Sequence, residues 1–186
     1  MNIAVYSGSF NPLHIGHLAI IRHMIEVAGF DMVYLIVSPK NPLKENISSS
    51  TGPERYQAAI EAVTRHFSHS RVKVDDIELN MPEPHYTIRT LKALKQREPA
   101  NTFTFVMGAD SLADIRRWKE YQTLLTEFGA AVFPRQGHDL IQIRQDLLEE
   151  NPAYKIFILD AEMVDMSSTQ IRAALSKGED ISAMLM

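Results

Sequence analysis

The sequence alternates short apolar segments with amphipathic ones, and this alternation limits the folds open to it more than any other feature. Short apolar segments bounded by turn residues predict six buried strands: Asn2–Tyr6, Met32–Val37, Val72–Val74, Thr102–Met107, Ala130–Phe133 and Ile156–Leu159. Between them, apolar residues recur at helical spacing. Strands buried on both faces and separated by helices predict an α/β fold with a doubly wound parallel sheet. Ligands of such sheets bind beyond the carboxyl ends of the strands.

The amphipathic segments predict the helices that cover this sheet. They are His17–Ala28, a helix that follows the capping-box pair Thr51 and Glu54, Thr87–Arg97, Tyr121–Phe128, Leu140–Glu150, and a last helix from near Ser168 to near Gly178. Every strand therefore has a helix beside it in the sequence.

Length and composition narrow the class of protein further. The chain has 186 residues, 45% of them hydrophobic, which predicts one domain over residues 1–186. The net charge of −4 argues against nonspecific nucleic-acid binding, so we expect no nucleic-acid partner. The absence of cysteine excludes disulfides and thiolate nucleophiles and fits a cytoplasmic protein. Met1–Tyr6 is too short for a signal peptide, and no apolar run approaches membrane-spanning length, so we expect no membrane partner.

The segment GSFNPLHIGH follows the first predicted strand and leads into the first helix. Gly8 allows a tight turn, and the N–H groups at a helix start attract phosphate. His14 and His17 are three residues apart, so they share one face and can donate hydrogen bonds to phosphate oxygens, more strongly when protonated. Two alternatives stay open: polar caps of the helix, or a zinc site, which is less favoured because no third ligand has matching spacing.

A second candidate is MSSTQIRAAL, at the start of the last predicted helix. Ser167 and Gln170 have the spacing of a capping box, which would by itself explain one hydroxyl. Ser168 and Thr169 add further hydroxyls, and Arg172 follows them on the same helix face. N–H groups, hydroxyls and a guanidinium would then converge, which predicts a polyphosphate site that faces the first segment.

The segment GADSLADIRRW follows the fourth predicted strand. Asp110, two residues after Gly108, is placed to accept hydrogen bonds from ribose hydroxyls, or else caps an ordinary turn. Trp118 is the only tryptophan, and its polar neighbours make stacking on a planar ring an alternative to burial in the core. Lys44 and Arg135 are candidates only because they lie in loops at strand ends.

Together these motifs resemble the nucleotidyltransferase superfamily, whose first signature is an HxGH turn after the first strand. HIGH and MSSTQ are also similar to the signatures of class I aminoacyl-tRNA synthetases, but the chain is too short for such an enzyme. The closer resemblance is to the bacterial nicotinate-mononucleotide adenylyltransferase family, whose motifs occur here in order as GSFNPLHIGHL, SPKNPLK, YTIRTL, FVMGADSL…W, FPRQG and SSTQIR. The resemblance covers Ile3–Leu175 and implies a Rossmann-like nucleotidyltransferase fold.

The resemblance implies adenylyl transfer from ATP to nicotinate mononucleotide, the step of NAD biosynthesis that yields nicotinate adenine dinucleotide and pyrophosphate. It assigns catalysis to His14, His17 and Arg172, and further ATP contacts to Gly8, Ser9, Phe10, Gly108, Asp110, Ser167, Ser168 and Thr169. It assigns the pyridine mononucleotide to Lys44, Tyr86, Thr87, Trp118 and Arg135, with Trp118 stacked on the ring. Mg²⁺ would arrive with ATP, since no dedicated carboxylate cage is identified. We expect the catalytic residues to supply fixed positive potential.

The sequence departs from the family at two positions. Asn11 and Arg89 stand where many members have Asp, and the Arg89 difference predicts altered contacts near YTIRTL. Three alternatives for the function stay open: an adenylyltransferase for nicotinamide mononucleotide, one for phosphopantetheine, and a noncatalytic nucleotide-binding sensor. The apolar tail after Gly178 favours a further packing contact and leaves a homo-oligomer open.

Overall fold

The computed structural model describes residues 1–39, 50–67, 71–161 and 168–186. Its strands are β1 (Asn2–Gly8), β2 (Met32–Val37), β3 (Val72–Asp75), β4 (Thr102–Gly108), β5 (Ala130–Phe133) and β6 (Ile156–Ile158). They form a six-stranded parallel sheet in the order β3-β2-β1-β4-β5-β6. This arrangement confirms the predicted doubly wound α/β fold and the six predicted strands.

Helices lie before or after each strand, as the apolar spacing predicts. They are α1 (Ile15–Glu26), α2 (Gly52–His66), α3 (Thr87–Arg97), α4 (Ala109–Ala113), α5 (Tyr121–Thr123), α6 (Leu140–Glu150) and α7 (Ser168–Ser176). The predicted capping box of α2 is present: Thr51 Oγ1 accepts from Glu54 N–H (3.4 Å), and Glu54 Oε2 accepts from Thr51 N–H (2.6 Å). In the described ranges, no helix combines the length and the apolar content that crossing a bilayer requires.

The pleat of the strands sorts their side chains onto two covered faces. Ala4 and Tyr6 of β1 join the apolar cluster of α1 and α2, whereas Ile3 and Val5 join the cluster of α3, α4 and α6. β1 and β4 are neighbours in the sheet, and the chain leaves them toward opposite faces. Their carboxyl ends therefore border a crevice of the kind in which doubly wound folds bind ligands.

The segment Tyr121–Phe128 differs in pitch from the sequence prediction. The sequence predicts a helix, and the structure has the α-helical turn α5 followed by a π-helical turn at Leu124–Phe128. Gly129 then donates to Leu124 O (2.8 Å) and ends the segment at φ 82°. An apolar pattern this short is compatible with either pitch, so the sequence does not reveal the change.

Several short helices are absent from the sequence prediction. Ile77–Asn80 and Ile115–Arg117 form 3₁₀ helices, and α4 occupies Ala109–Ala113, where the sequence predicts only a turn. Elements of three to five residues do not repeat an apolar spacing, which explains why they were missed.

The apolar tail after Gly178 folds back onto the first turn of the chain. Leu185 forms an antiparallel bridge with His14, and Met186 N–H donates to Leu13 O at 3.4 Å. Met186 is buried in the cluster of α1 and α2, whereas the Leu185 side chain is exposed. The tail thus has a packing contact within its own chain.

Candidate active site

The turn between β1 and α1 holds His14 and His17 in a capping box. His14 is the N-cap residue, and its Nδ1 accepts a hydrogen bond from Gly16 N–H (3.2 Å). His17 Nδ1 accepts from His14 N–H (3.2 Å), and the two imidazole centroids lie 3.7 Å apart. These bonds satisfy N–H groups that a helix start leaves without partners. The capping alternative is therefore confirmed for the Nδ1 atoms.

The capping bonds also determine where each neutral ring carries its hydrogen. Because Nδ1 accepts, a neutral ring has its hydrogen on Nε2, which becomes the donor. Burial, and then the charge of Arg135, lower the pKa of His14 to about 4. Burial, and then His14 and Arg135, hold the pKa of His17 well below its ordinary value. Both rings are neutral at neutral pH, so the expected fixed positive potential from them is wrong for the unliganded protein.

Phe10 supports this turn with its side chain. Its φ of 44° is a left-handed conformation that is uncommon for a bulky residue, and its ring is buried. The ring packs edge-on against His17 at 5.2 Å and against Tyr6 at 5.5 Å. A Cβ at Gly8 would lie 3.2 Å from the same ring. This packing leaves the backbone of Phe10, and not its ring, for the predicted ATP contact.

The last helix brings the other end of the chain to the same turn. Arg172 Nη1 donates to Asn11 O (2.7 Å), and Nη2 donates to Thr169 Oγ1 (3.1 Å). Arg172 Nε is buried and has no hydrogen-bond partner within the described part of the chain. An orphaned buried donor is rare in folded proteins and fits an acceptor atom of a ligand. Ser168 is the first residue of α7, and Ser167 lies outside the described residues.

Gly108, Asp110 and Arg135 meet at the carboxyl ends of β4 and β5. A Cβ at Gly108 would overlap Asp110 Oδ1 and lie 3.1 Å from Arg135 Nε, so a larger residue there would require these exposed side chains to move. Arg135 Nε is 3.7 Å from Asp110 Oδ1, and its guanidinium carbon is 4.9 Å from the centroid of the Phe133 ring. The positive charge of Arg135 contributes to lowering the pKa of both histidines, after the larger effect of burial.

Three candidates for the pyridine mononucleotide, Trp118, Tyr86 and Thr87, are associated with the face of the sheet that α3 covers. Trp118 is half-buried against the cluster of α3 and β4, and its ring lies 5.9 Å from that of Phe105. Tyr86 is exposed at the N-cap of α3, and Thr87 is the first residue of that helix. Lys44 lies outside the described residues.

Arg55, on the first turn of α2, is a residue of this region that the sequence analysis missed. Its side chain is buried, and it donates to Ser9 O (2.6 Å) and to Ser38 O (2.8 Å). In the sequence it stands between Glu54 and Tyr56 of an amphipathic helix, and arginine is a residue type that is ordinarily solvent-exposed. No feature of the sequence distinguishes it from a surface residue.

The chain is similar to known proteins along nearly its whole length. The model of the cytidylyltransferase-like family matches residues 5–174. A Flavobacterium johnsoniae protein named "Probable nicotinate-nucleotide adenylyltransferase" is 35% identical, over 100% of this chain and 92% of the relative. A Bacteroides fragilis protein of the same name is also 35% identical, over 97% of this chain and 85% of the relative.

The fold has a similar counterpart among solved structures. A Plasmodium falciparum nicotinic acid mononucleotide adenylyltransferase, solved in complex with NaAD, matches with a TM-score of 0.78 and 23% identity. The match covers 97% of this chain and 86% of the Plasmodium chain. At this identity the likeness concerns the fold.

Proposed function

The chain belongs to the nicotinate-nucleotide adenylyltransferases of the cytidylyltransferase-like family, and we propose that His14, His17 and Arg172 carry its adenylyl transfer from ATP to nicotinate mononucleotide. The observation that supports these roles most is the bond from Arg172 to Asn11 O, which ties α7 to the turn before His14. Donors from the two ends of the sequence then face one region. A triphosphate, with its many oxygens, suits such a set of donors.

In the proposed reaction, a phosphate oxygen of nicotinate mononucleotide attacks the α-phosphorus of ATP. The new P–O bond joins the two nucleotides, the bond from the α-phosphorus to its bridging oxygen breaks, and pyrophosphate leaves with the electron pair. No protein nucleophile is needed, because the attacking oxygen is already ionised. The protein has to hold two anions together and stabilise the charge that develops on the bridging oxygen.

The histidine pair and Arg172 would divide this work. Each ring would donate from Nε2–H to a phosphate oxygen, since its Nδ1 is occupied by the helix cap. Arg172 would supply the positive charge that neutral rings lack, and its orphaned Nε is a further donor. His14 is buried, and hydrogen bonds to developing charge are strongest where water is excluded.

We propose that ATP binds with Mg²⁺ on its phosphates. Asp110 is a carboxylate of this region, and it is held 3.7 Å from Arg135. Phosphate oxygens and water would therefore supply most of the ligands, as Mg²⁺ commonly prefers. The bound ion would offset part of the phosphate charge.

The pyridine mononucleotide is proposed to bind between Trp118 and the start of α3. Trp118 would stack on its ring, and Tyr86, Thr87 and Lys44 would contact the nucleotide. Arg135 would bind its attacking phosphate, because this guanidinium follows β5 and lies beside Asp110, at the carboxyl ends of the strands. We place the reaction in the cytoplasm, which suits a chain without cysteine.

Identification of the product tests this function. Purified protein is incubated with ATP, Mg²⁺ and, in separate reactions, nicotinate mononucleotide, nicotinamide mononucleotide or phosphopantetheine. We expect nicotinate adenine dinucleotide and an equal amount of pyrophosphate, with the highest kcat/KM for the nicotinate substrate. Preference for either other substrate would contradict the proposed specificity, and ATP binding without pyrophosphate release would indicate a sensor.

A further inference from the structure

Arg55 is a buried charged residue that the reaction described above does not use. It lies on the first turn of α2 with only 6% of its surface exposed. Its Nη1 donates to Ser9 O (2.6 Å) and Ser38 O (2.8 Å), and its Nη2 donates to Pro39 O. One planar group thus joins the loop after β1 to the loop after β2.

Within the described part of the chain, the hydrogen-bond partners of this guanidinium are all backbone carbonyls. Over residues 1–39, 50–67, 71–161 and 168–186, no carboxylate forms an ion pair with Arg55. A buried cation needs compensation, and here the carbonyl dipoles of two strand-end loops provide it. The interaction depends on the fixed fork of an arginine, which a lysine cannot reproduce.

The start of α2 is itself well anchored. The capping box of Thr51 and Glu54 fixes the first turn of the helix, and Ser50 Oγ donates to Asn11 Oδ1 at 3.1 Å. Arg55 therefore extends from a rigid element to the turn that carries the histidine pair. The hydrogen bonds of Arg55 can therefore hold that turn in place relative to α2.

The bond to Ser9 O also sets the direction of the next N–H group. In a trans peptide, a carbonyl and the N–H that follows it point in opposite directions. Because Ser9 O points toward Arg55, the Phe10 N–H points away from α2. Among the described residues this N–H has no hydrogen-bond partner. Phe10 also has a φ of 44°, and such a conformation persists only where its surroundings hold it.

We propose that Arg55 is a positioning residue that fixes the peptide between Ser9 and Phe10 so that the Phe10 N–H donates to a phosphate of ATP. The proposal rests on the proposed function, because it assumes that the triphosphate lies at the histidine turn. Arg55 acts through the backbone and touches no substrate.

The test compares Arg55→Lys with Arg71→Lys. Arg71 is a matched control because it also donates to three backbone carbonyls, those of Ile25, Phe30 and Asp31, which lie near the amino-terminal ends of the strands, away from the histidine turn. We expect Arg55→Lys to weaken Mg·ATP binding about tenfold or more in calorimetry and to lower kcat similarly, with KM for nicotinate mononucleotide little changed. Arg71→Lys should change neither quantity more than about twofold. The proposal would be overturned if Arg55→Lys melts above the assay temperature and has an ATP affinity and a kcat as high as those of Arg71→Lys.

Hydrogen exchange in the wild-type protein gives an independent answer if Arg55→Lys does not fold. The Phe10 amide should exchange about tenfold more slowly after addition of ATP and Mg²⁺. An unchanged exchange rate at saturating ATP would overturn the proposal. Both binding measurements use ATP and Mg²⁺ without nicotinate mononucleotide. A protein that binds ATP in this way but makes no nicotinate dinucleotide would therefore contradict only the proposed function.

Discussion

At the scale of single residues, the two ring nitrogens of His17 have different hydrogen-bonding roles. Nδ1 accepts the His14 N–H and completes the helix cap, whereas Nε2–H remains as a donor. Capping and phosphate binding are therefore compatible in one side chain. A substitution can remove one role and keep the other, because the Oδ1 of an asparagine at this third helical position would stand where His17 Nδ1 stands and could accept the same N–H.

His17→Ala should lower kcat about 100-fold, since one donor to developing charge is lost. It should also lower the free energy of unfolding by about 1 kcal/mol, because the hydrogen bond from the His14 N–H is lost. His17→Asn should recover most of the stability and little of the kcat. His23→Ala, near the other end of α1, is the control and should keep wild-type kcat. A kcat near the wild-type value in His17→Asn or His17→Ala would contradict the role of Nε2–H.

Arg172 is the link between two elements that are far apart in the sequence. It leaves α7 and donates to Asn11 O, 161 residues away, in the loop that leads to α1. Arg172→Ala should therefore weaken the binding of ATP about tenfold or more and affect the mononucleotide much less. Lys177→Ala, just beyond the other end of α7, removes a charge of the same sign and should leave both affinities unchanged. Calorimetric titration of each substrate gives the result, and equal weakening of both would argue against a polyphosphate site.

A carboxylate of α6 forms hydrogen bonds to the segment that carries Trp118. Glu150 accepts from Arg116 Nε (2.8 Å) and from Tyr121 OH (2.7 Å), on either side of Trp118. Trp118→Ala should raise KM for nicotinate mononucleotide by the equivalent of about 1–3 kcal/mol of lost stacking, with KM for ATP unchanged. Trp118→Phe keeps an aromatic ring, so its KM for nicotinate mononucleotide should lie between the values of the wild-type protein and Trp118→Ala. A lower melting temperature with both KM values unchanged would show that Trp118 only packs.

Elements with a long apolar pattern were predictable, and those defined by distant contacts were not. β4 and α3 follow directly from their side-chain spacing, whereas the π-helical turn at Leu124–Phe128 has the same apolar pattern as a helix. The site shows the same division. His14 and His17 are adjacent on one turn, so their pairing was evident, but their neutrality depends on burial that the sequence does not specify.

At the scale of the whole molecule, the candidate site lies at the carboxyl ends of β1 and β4, from which the chain continues toward opposite faces of the sheet. Burial of the histidines at this point makes the stability of the protein sensitive to acid. The folded chain holds the pKa of His14 at about 4, below its ordinary value of 6.5, so the unfolded chain binds more protons between these values. The stabilisation is present above pH 6.5 and is lost as the pH falls toward 4.

As the pH falls from about 7 to 5, the titration of His14 should therefore lower the free energy of unfolding by about 2 kcal/mol. Denaturant titrations at several pH values measure this slope, and His17 should add to it in the same direction. His14→Asn keeps a capping side chain but cannot titrate, so its slope should be smaller. Equal slopes for the variant and the wild-type protein would show that His14 is not held neutral by folding.

The account depends most on donors from both ends of the chain meeting over one triphosphate. A crystal structure with a nonhydrolysable ATP analogue and Mg²⁺ tests this directly. We predict that Nε2 of His14 and His17 and the guanidinium of Arg172 all lie within about 3.2 Å of oxygens of the same triphosphate. A triphosphate bound beyond the reach of the histidine pair, with Arg172 still bonded only to Asn11 and Thr169, would contradict it.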